Sequence, residues 1–362
     1  MCCGDQLNPP PTADVGIFRV KLARACPVLL LLISPPRSYD EVGLDDIKGK
    51  KMRVAIFGTG GAGGYFGAQL ALAGEDVIFV ARGDHLRALK TAGLRLETPA
   101  GESIIHGEAT DNPAEIGNVD VVLVGVKAWQ VTEAANRIRP LVGPDTVIVP
   151  LQNGVEAATE LAAVFEANTL AGMCGTLSFV AGPGHIRSVS VGGQNFVKFG
   201  ELNNIQSDRV ERLRQCFSNA KVPVEVPPNI VKALWDKFLT VTSFGGVGSI
   251  TRAPIGVTRA IPETRRLLEQ CLHETLLVAR ARNVPMADTA VTDTMKLYDS
   301  LPPNGTTSLQ RDIAAGKMTE LEYWNGAVVR LGREVAVPTP TNQFIYNCLL
   351  PSELRARGKI SW

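Results

Sequence analysis

Gly58, Gly60 and Gly63 stand at the spacing G-x-G-x-x-G in the run RVAIFGTGGAGGYFGAQLALAGEDVIFVAR, Arg53 to Arg82. The hexad Gly58-Thr59-Gly60-Gly61-Ala62-Gly63 follows a short β-branched run and precedes a segment of helical periodicity, the context that gives this spacing a physical meaning. The first glycine permits a tight turn, the second lets backbone approach a pyrophosphate, and the third lets helix and strand pack closely. Free N–H groups and a partial positive charge at the helix start then face the phosphates. The second apolar strand, DVIFVAR, ends in Arg82, nineteen residues after Gly63. Sites for NAD usually place an acid there to accept from the ribose 2′-hydroxyl. A guanidinium instead suits a 2′-phosphate, to which it can donate two charge-assisted bonds. The expected cofactor is NADPH, with the strictness of that preference left open by the nearby Asp84. Lys127 closes a third apolar run, VDVVLVGVK, at the carboxyl edge of a sheet, where ligands bind in open α/β folds.

The elements that must position these residues are legible as a pattern. Apolar strands alternate with helical segments from Met52 through TVIVPLQNG at Thr146–Gly154, which argues a parallel sheet covered on both faces. The stretch after Thr169 has short strands joined by Gly and Pro turns, read as antiparallel strands finishing that sheet. Beyond Pro227-Pro228 the periodicity is helical over Ile230–Phe244, Glu263–Arg282, Asp288–Tyr298 and Thr319–Gly332. The expected fold is α/β followed by all-α. A Rossmann-type nucleotide domain spans 52–227, a helical substrate domain spans 228–350, and a tail covers 351–362, with a ligand cleft between the domains.

Composition excludes several functions. The formal charge of +1 over 362 residues argues against a nucleic-acid partner, which selects a basic face. Seven scattered cysteines without a CxxC pair, and four histidines, argue against a metal site and for reduced thiols. Residues 1–51 carry a basic and then briefly apolar run, RVKLARACPVLLLLISPP, too short for a membrane span. They read as a flexible extension of a cytoplasmic protein or as an organelle-targeting leader. A homodimer is compatible with the helical part but not dictated by it.

Five segments together resemble ketopantoate reductase (2-dehydropantoate 2-reductase): the glycine run, VVLVGVKAWQV, PLQNGVE, LWDKFL and TSLQRDIAAGKMTELEYWNG, in that family's order from Met52 to about Pro340. The resemblance implies a Rossmann domain plus a helical domain, with NADPH and a 2-oxo acid between them, reducing ketopantoate to pantoate for pantothenate and coenzyme A biosynthesis. It implies that Lys237 is the catalytic lysine and Glu320 the acid supporting catalysis and binding. Lys127 would lie beside the cofactor, Asn153 at the nicotinamide end, and Ser308 against substrate. These roles are chemically coherent, because hydride delivery to a ketone leaves an alkoxide that a cationic acid can stabilise and protonate.

The chain departs from the family where asparagines would follow the catalytic lysine by four and eight residues. Val241 and Gly245 stand there, and Ile255 stands at a third amide position. Thr242, Ser243 and Arg252 lie near the changed positions, and Arg252 is expected to clamp the substrate carboxylate. The alternatives at this stage are reduction of a different 2-oxo acid, and a non-catalytic NADPH-binding regulator.

Overall fold

The structure, a computed structural model, describes residues 51–190 and 194–362. The leader expectation therefore falls outside the described residues, Lys51 apart.

Strand β1 (Arg53–Phe57) runs into the glycine turn and helix α1 (Gly61–Leu72), followed by β2 (Asp76–Val80) and α2 (Gly83–Ala92). A hairpin of β3 (Leu94–Thr98) and β4 (Gly101–Ile105) precedes β5 (Glu108–Thr110), β6 (Val121–Val124), α3 (Val131–Arg137), β7 (Val147–Pro150) and α4 (Ala157–Phe165). The parallel sheet has the order β5-β2-β1-β6-β7, with Val54 opposite Val77 on one side and Val121 on the other. Every residue of β6 and β7 is buried. Their unbroken apolar runs follow from cover on both faces: Ile56, Phe66 and Phe79 pack on one face, and Phe57, Ile78, Val122 and Leu161 on the other.

The Gly/Pro-rich stretch contains β8 (Ala171–Gly175), β9 (Ser178–Gly182), β10 (His185–Ser188) and β11 (Phe196–Gly200), followed by α5 (Asp208–Asn219) and β12 (Val224–Glu225). These strands do not extend the main sheet. They form two further sheets, β4-β3-β10-β9 and β12-β11-β8. The β3–β4 hairpin offers β10 an edge of its own, with Ile186 paired to Leu96, and both side chains are buried in the cluster that contains Phe66. That competing edge takes β9 and β10 from the expected antiparallel border, while β8 and β11 pair with each other and with β12.

Helix α6 (Ile230–Thr251) opens the helical part, capped by Asn229 accepting from the Lys232 N–H at 2.8 Å. Around it lie α7 (Ile255–Ala260), α8 (Pro262–Ala281), α9 (Ala290–Ser300), α10 (Ser308–Ala314), α11 (Asn325–Glu334) and α12 (Pro340–Ala356). Thr319–Gly332 is not one helix, since a 3-10 turn at Leu321–Tyr323 precedes α11. The boundary expected at 350 falls inside α12, which continues through Pro351. An apolar seam of Ala158, Ala171, Met173, Ile230 and Leu234 joins the start of α6 to β8 and α4. This seam sets the position of Lys237, two turns into the helix.

Candidate active site

The glycine turn is shaped as its spacing requires. Gly58 has φ +101°, and a Cβ there would lie 2.7 Å from the Val126 nitrogen, so only glycine fits. A Cβ on Gly63 would meet the Gly58 carbonyl at 2.2 Å, whereas Gly60 faces open space with nothing within 4 Å. Gly60 is the cap of α1 and has no side chain to satisfy the first-turn N–H groups, which stay available to an anion. Thr59 is buried and anchors the turn, its hydroxyl donating to the Val80 carbonyl at 3.1 Å. Ala62 packs against the buried cluster. Gly61 has a further reason that its spacing did not reveal: a Cβ there would lie 2.2 Å from the Ser178 carbonyl on β9. The cradle fits a dinucleotide pyrophosphate.

Arg82 caps α2 in extended conformation and pairs with Glu133 of α3 at 2.9 Å. Asp84 pairs with Arg87 rather than with Arg82.

A second group gathers where the helical part meets the carboxyl edge of the sheet. Lys237 is half-buried and donates to the Cys174 carbonyl at the end of β8. Burial holds its ammonium below the usual lysine range, and the Glu320 carboxylate opposes that fall. Cys174 itself is buried, which pushes its thiol up to about 11 and keeps it neutral. Glu320 is 8% exposed and accepts from the Ala128 N–H at 3.0 Å. Burial raises its carboxyl above the usual range, opposed by Lys127, the Ala128 N–H and Lys237. Lys127 reaches across to Asp312 of α10 at 3.3 Å.

Asn153 sits in the turn after β7, half-buried in a recess with Ala128 and Tyr323. Its neighbour Gln152 donates to the carbonyls of Val124 and Val126, both at 2.8 Å, tying the turn to the end of β6. Ser308 is the first residue of α10, behind the cap Thr307. Thr307 Oγ1 lies 3.3 Å from where a Gly245 Cβ would be, so α10 starts over α6 two turns beyond Lys237.

Lys127, Asn153, Lys237 and Glu320 thus come from four segments to the surroundings of Ala128 and the end of β8, while Ser308 stands at the start of α10, over the second half of α6. Arg252 does not join them. It is the exposed, left-handed cap ending α6, fifteen residues and roughly 22 Å along the helix from Lys237. Thr242 and Ser243 are fully buried, their hydroxyls donating to the Phe238 carbonyl at 2.8 Å and the Leu239 carbonyl at 3.2 Å. Val241 is half-buried one turn from Lys237 on the same face. Gly245 lies under the Trp324 ring, 2.6 Å from a notional Cβ, and Ile255 is wholly buried. Sequence reasoning missed Asp312, Glu133 and the Cys174 carbonyl, which are partners only through the tertiary fold. Among the described residues no metal-binding cluster occurs, and no helix is long and apolar enough to cross a membrane.

The chain is similar to known proteins over both of its halves. Residues 54–204 match the family description "Ketopantoate reductase PanE/ApbA", and residues 229–353 match that family's C-terminal description. A 2-dehydropantoate 2-reductase of Mesorhizobium japonicum is 31% identical over 318 residues, covering 80% of this chain and 94% of the relative. The crystal structure of a PanE/ApbA family ketopantoate reductase from Ralstonia eutropha is 30% identical, with a TM-score of 0.77 over 84% of this chain and 100% of that one. A D-mandelate dehydrogenase solved with NADH and anilino(oxo)acetate shares the fold at 20% identity, with a TM-score of 0.77 over 84% of this chain and 99% of its own. The two family matches fall on the two halves that build the cleft, one supplying the cradle and the other Lys237 and Glu320, and the chain belongs to the ketopantoate reductase family.

Proposed function

We propose that this chain reduces a 2-oxo acid to the 2-hydroxy acid with NADPH, in the cleft where α6 and the Glu320 turn meet the sheet edge. Ketopantoate is the first candidate substrate, because the Mesorhizobium relative carries the name 2-dehydropantoate 2-reductase; the product would feed pantothenate biosynthesis. The observation that carries the reading is the placing of Lys237, bound to the Cys174 carbonyl, and of the buried Glu320, bound to the Ala128 N–H two residues beyond the Val126 that abuts the glycine turn.

Gly58, Gly60, Gly63 and Arg82 would hold the dinucleotide, whose dihydronicotinamide would supply hydride for the substrate carbonyl carbon. Lys237 donates a hydrogen bond to the carbonyl oxygen, stabilises the alkoxide and gives up its proton, which solvent later replaces. A lysine held below its usual range gives up that proton more readily than an exposed one. Glu320 holds the Ala128 backbone and keeps negative charge near Lys237. Ser308 and Asn153, whose side chains have no protein partner among the described residues, are free to hold the substrate and the nicotinamide end. Lys127 supplies a second positive charge.

The test is NADPH oxidation by the purified chain with ketopantoate beside a panel of other 2-oxo acids, with identification of the product. Turnover of at least one to its 2-hydroxy acid is expected. Failure of every acid, with NADPH bound, would reject the activity and favour the non-catalytic regulator.

A further inference from the structure

Arg82 and Glu133 are the residues whose pairing the proposed activity leaves unused. Arg82 follows β2 and Glu133 lies in the first turn of the helix after β6. These strands flank β1 in the sheet, so the pair bridges the carboxyl end of the strand that leads into the glycine turn. The side chains are each 57% exposed and meet at 2.9 Å, so both are open to a solvent-borne ligand. Asp84, the nearer acid in sequence, is occupied by Arg87.

The two groups recognise different chemistry. A guanidinium donates to a phosphate, whereas a carboxylate accepts from a hydroxyl and repels a phosphate. We propose that Arg82 and Glu133 form a two-mode ribose site, Arg82 serving a 2′-phosphate and Glu133 a 2′-hydroxyl, with Glu133 limiting the preference for NADPH. The proposal rests on the dinucleotide reading of the cradle and on Arg82 standing at the ribose. In the phosphate mode Arg82 must release Glu133, which stays within a Debye length of the phosphate at physiological salt. In the hydroxyl mode the existing pair holds the carboxylate in place.

Fluorescence titration of NADPH and NADH onto the wild type, Glu133→Gln and Arg82→Met tests this without any substrate. Wild type is expected to bind both cofactors. Glu133→Gln should tighten NADPH about 3- to 10-fold, by removing an exposed charge repulsion of ordinary size, and should weaken NADH. Glu133→Asp should restore the wild-type ratio. Arg82→Met should weaken NADPH more than about 10-fold with little effect on NADH. An unchanged NADPH-to-NADH ratio in Glu133→Gln would overturn the proposal, as would weaker NADPH binding, which would make Glu133 a support for Arg82. An unchanged NADPH affinity in Arg82→Met would reject the placement of Arg82 at the ribose and the proposal with it. If neither cofactor bound the wild type, the dinucleotide reading itself would fall.

Discussion

Lys237 carries the proton in this account, and its surroundings make the claim testable in detail. Lys237→Ala should lower kcat by about 10²–10⁴-fold, the usual range for a general acid, with a smaller change in NADPH affinity. The protonated form is the active one, so activity is lost as pH rises through the Lys237 pKa. Because burial depresses that pKa, the alkaline limb of the kcat profile should lie below the ordinary lysine range. Glu320 pulls the same pKa upward. Glu320→Gln should therefore move the limb to lower pH, and a pH profile of the two proteins reads the shift; an unmoved limb would remove Glu320 from the electrostatics of Lys237. At this scale the sequence singled out Lys127, Asn153 and Lys237 through the motifs that hold them. It was silent on Asp312 and on the Cys174 carbonyl, since nothing local in a sequence states which distant group a lysine will meet.

Helix α6 decides where the site ends. Its run Gly245-Gly246-Val247-Gly248 argues locally for a break, as each glycine costs a helix about 1 kcal/mol relative to alanine. The helix nevertheless continues to Thr251, because the missing side chains admit close neighbours. The Trp324 ring lies over Gly245, the Asn325 amide over Gly246 and the Gln310 amide over Gly248. Tertiary packing overrides propensity here, and the added turns carry Arg252 away from Lys237. This is why a residue adjacent in sequence to the altered positions is remote in space. Gly245→Ala should force a methyl against the indole and cost about 1–3 kcal/mol by overpacking, read as a lowered thermal midpoint. An unshifted midpoint would mean that the ring has room to move. The hairpin sheets show the same limit: the strands from β8 to β11 were legible as extended segments, but β9 and β10 joined the β3–β4 edge while β8 and β11 paired with each other and β12.

Across the whole molecule, contacts of several kinds tie the sheet part to the helical part around the cleft. The Ala128 N–H binds Glu320, Lys127 meets Asp312, the Cys174 carbonyl accepts from Lys237, and Arg330 of α11 grips Glu156 at 2.7 and 2.8 Å. Arg330 and Glu156 are 174 residues apart, so no spacing rule could have paired them. Their ion pair is partly exposed, at 39% and 23%, and screening limits its worth to about 1 kcal/mol. Arg330→Met should lower the thermal midpoint by roughly 2–4 °C and raise KM for substrate more than it changes kcat, as the cleft loses one of its ties. The α/β-then-helical order was readable because two periodicities follow each other along the chain, whereas the closure between them was not. The central claim is that the cleft formed by this closure transfers hydride to a 2-oxo acid with Lys237 as proton donor. Its most direct test compares wild type and Lys237→Ala in one assay, counting NADPH consumed and 2-hydroxy acid formed. Equal amounts of both from the wild type, and neither from a folded, NADPH-binding Lys237→Ala, is the predicted result. Undiminished turnover in Lys237→Ala would contradict it.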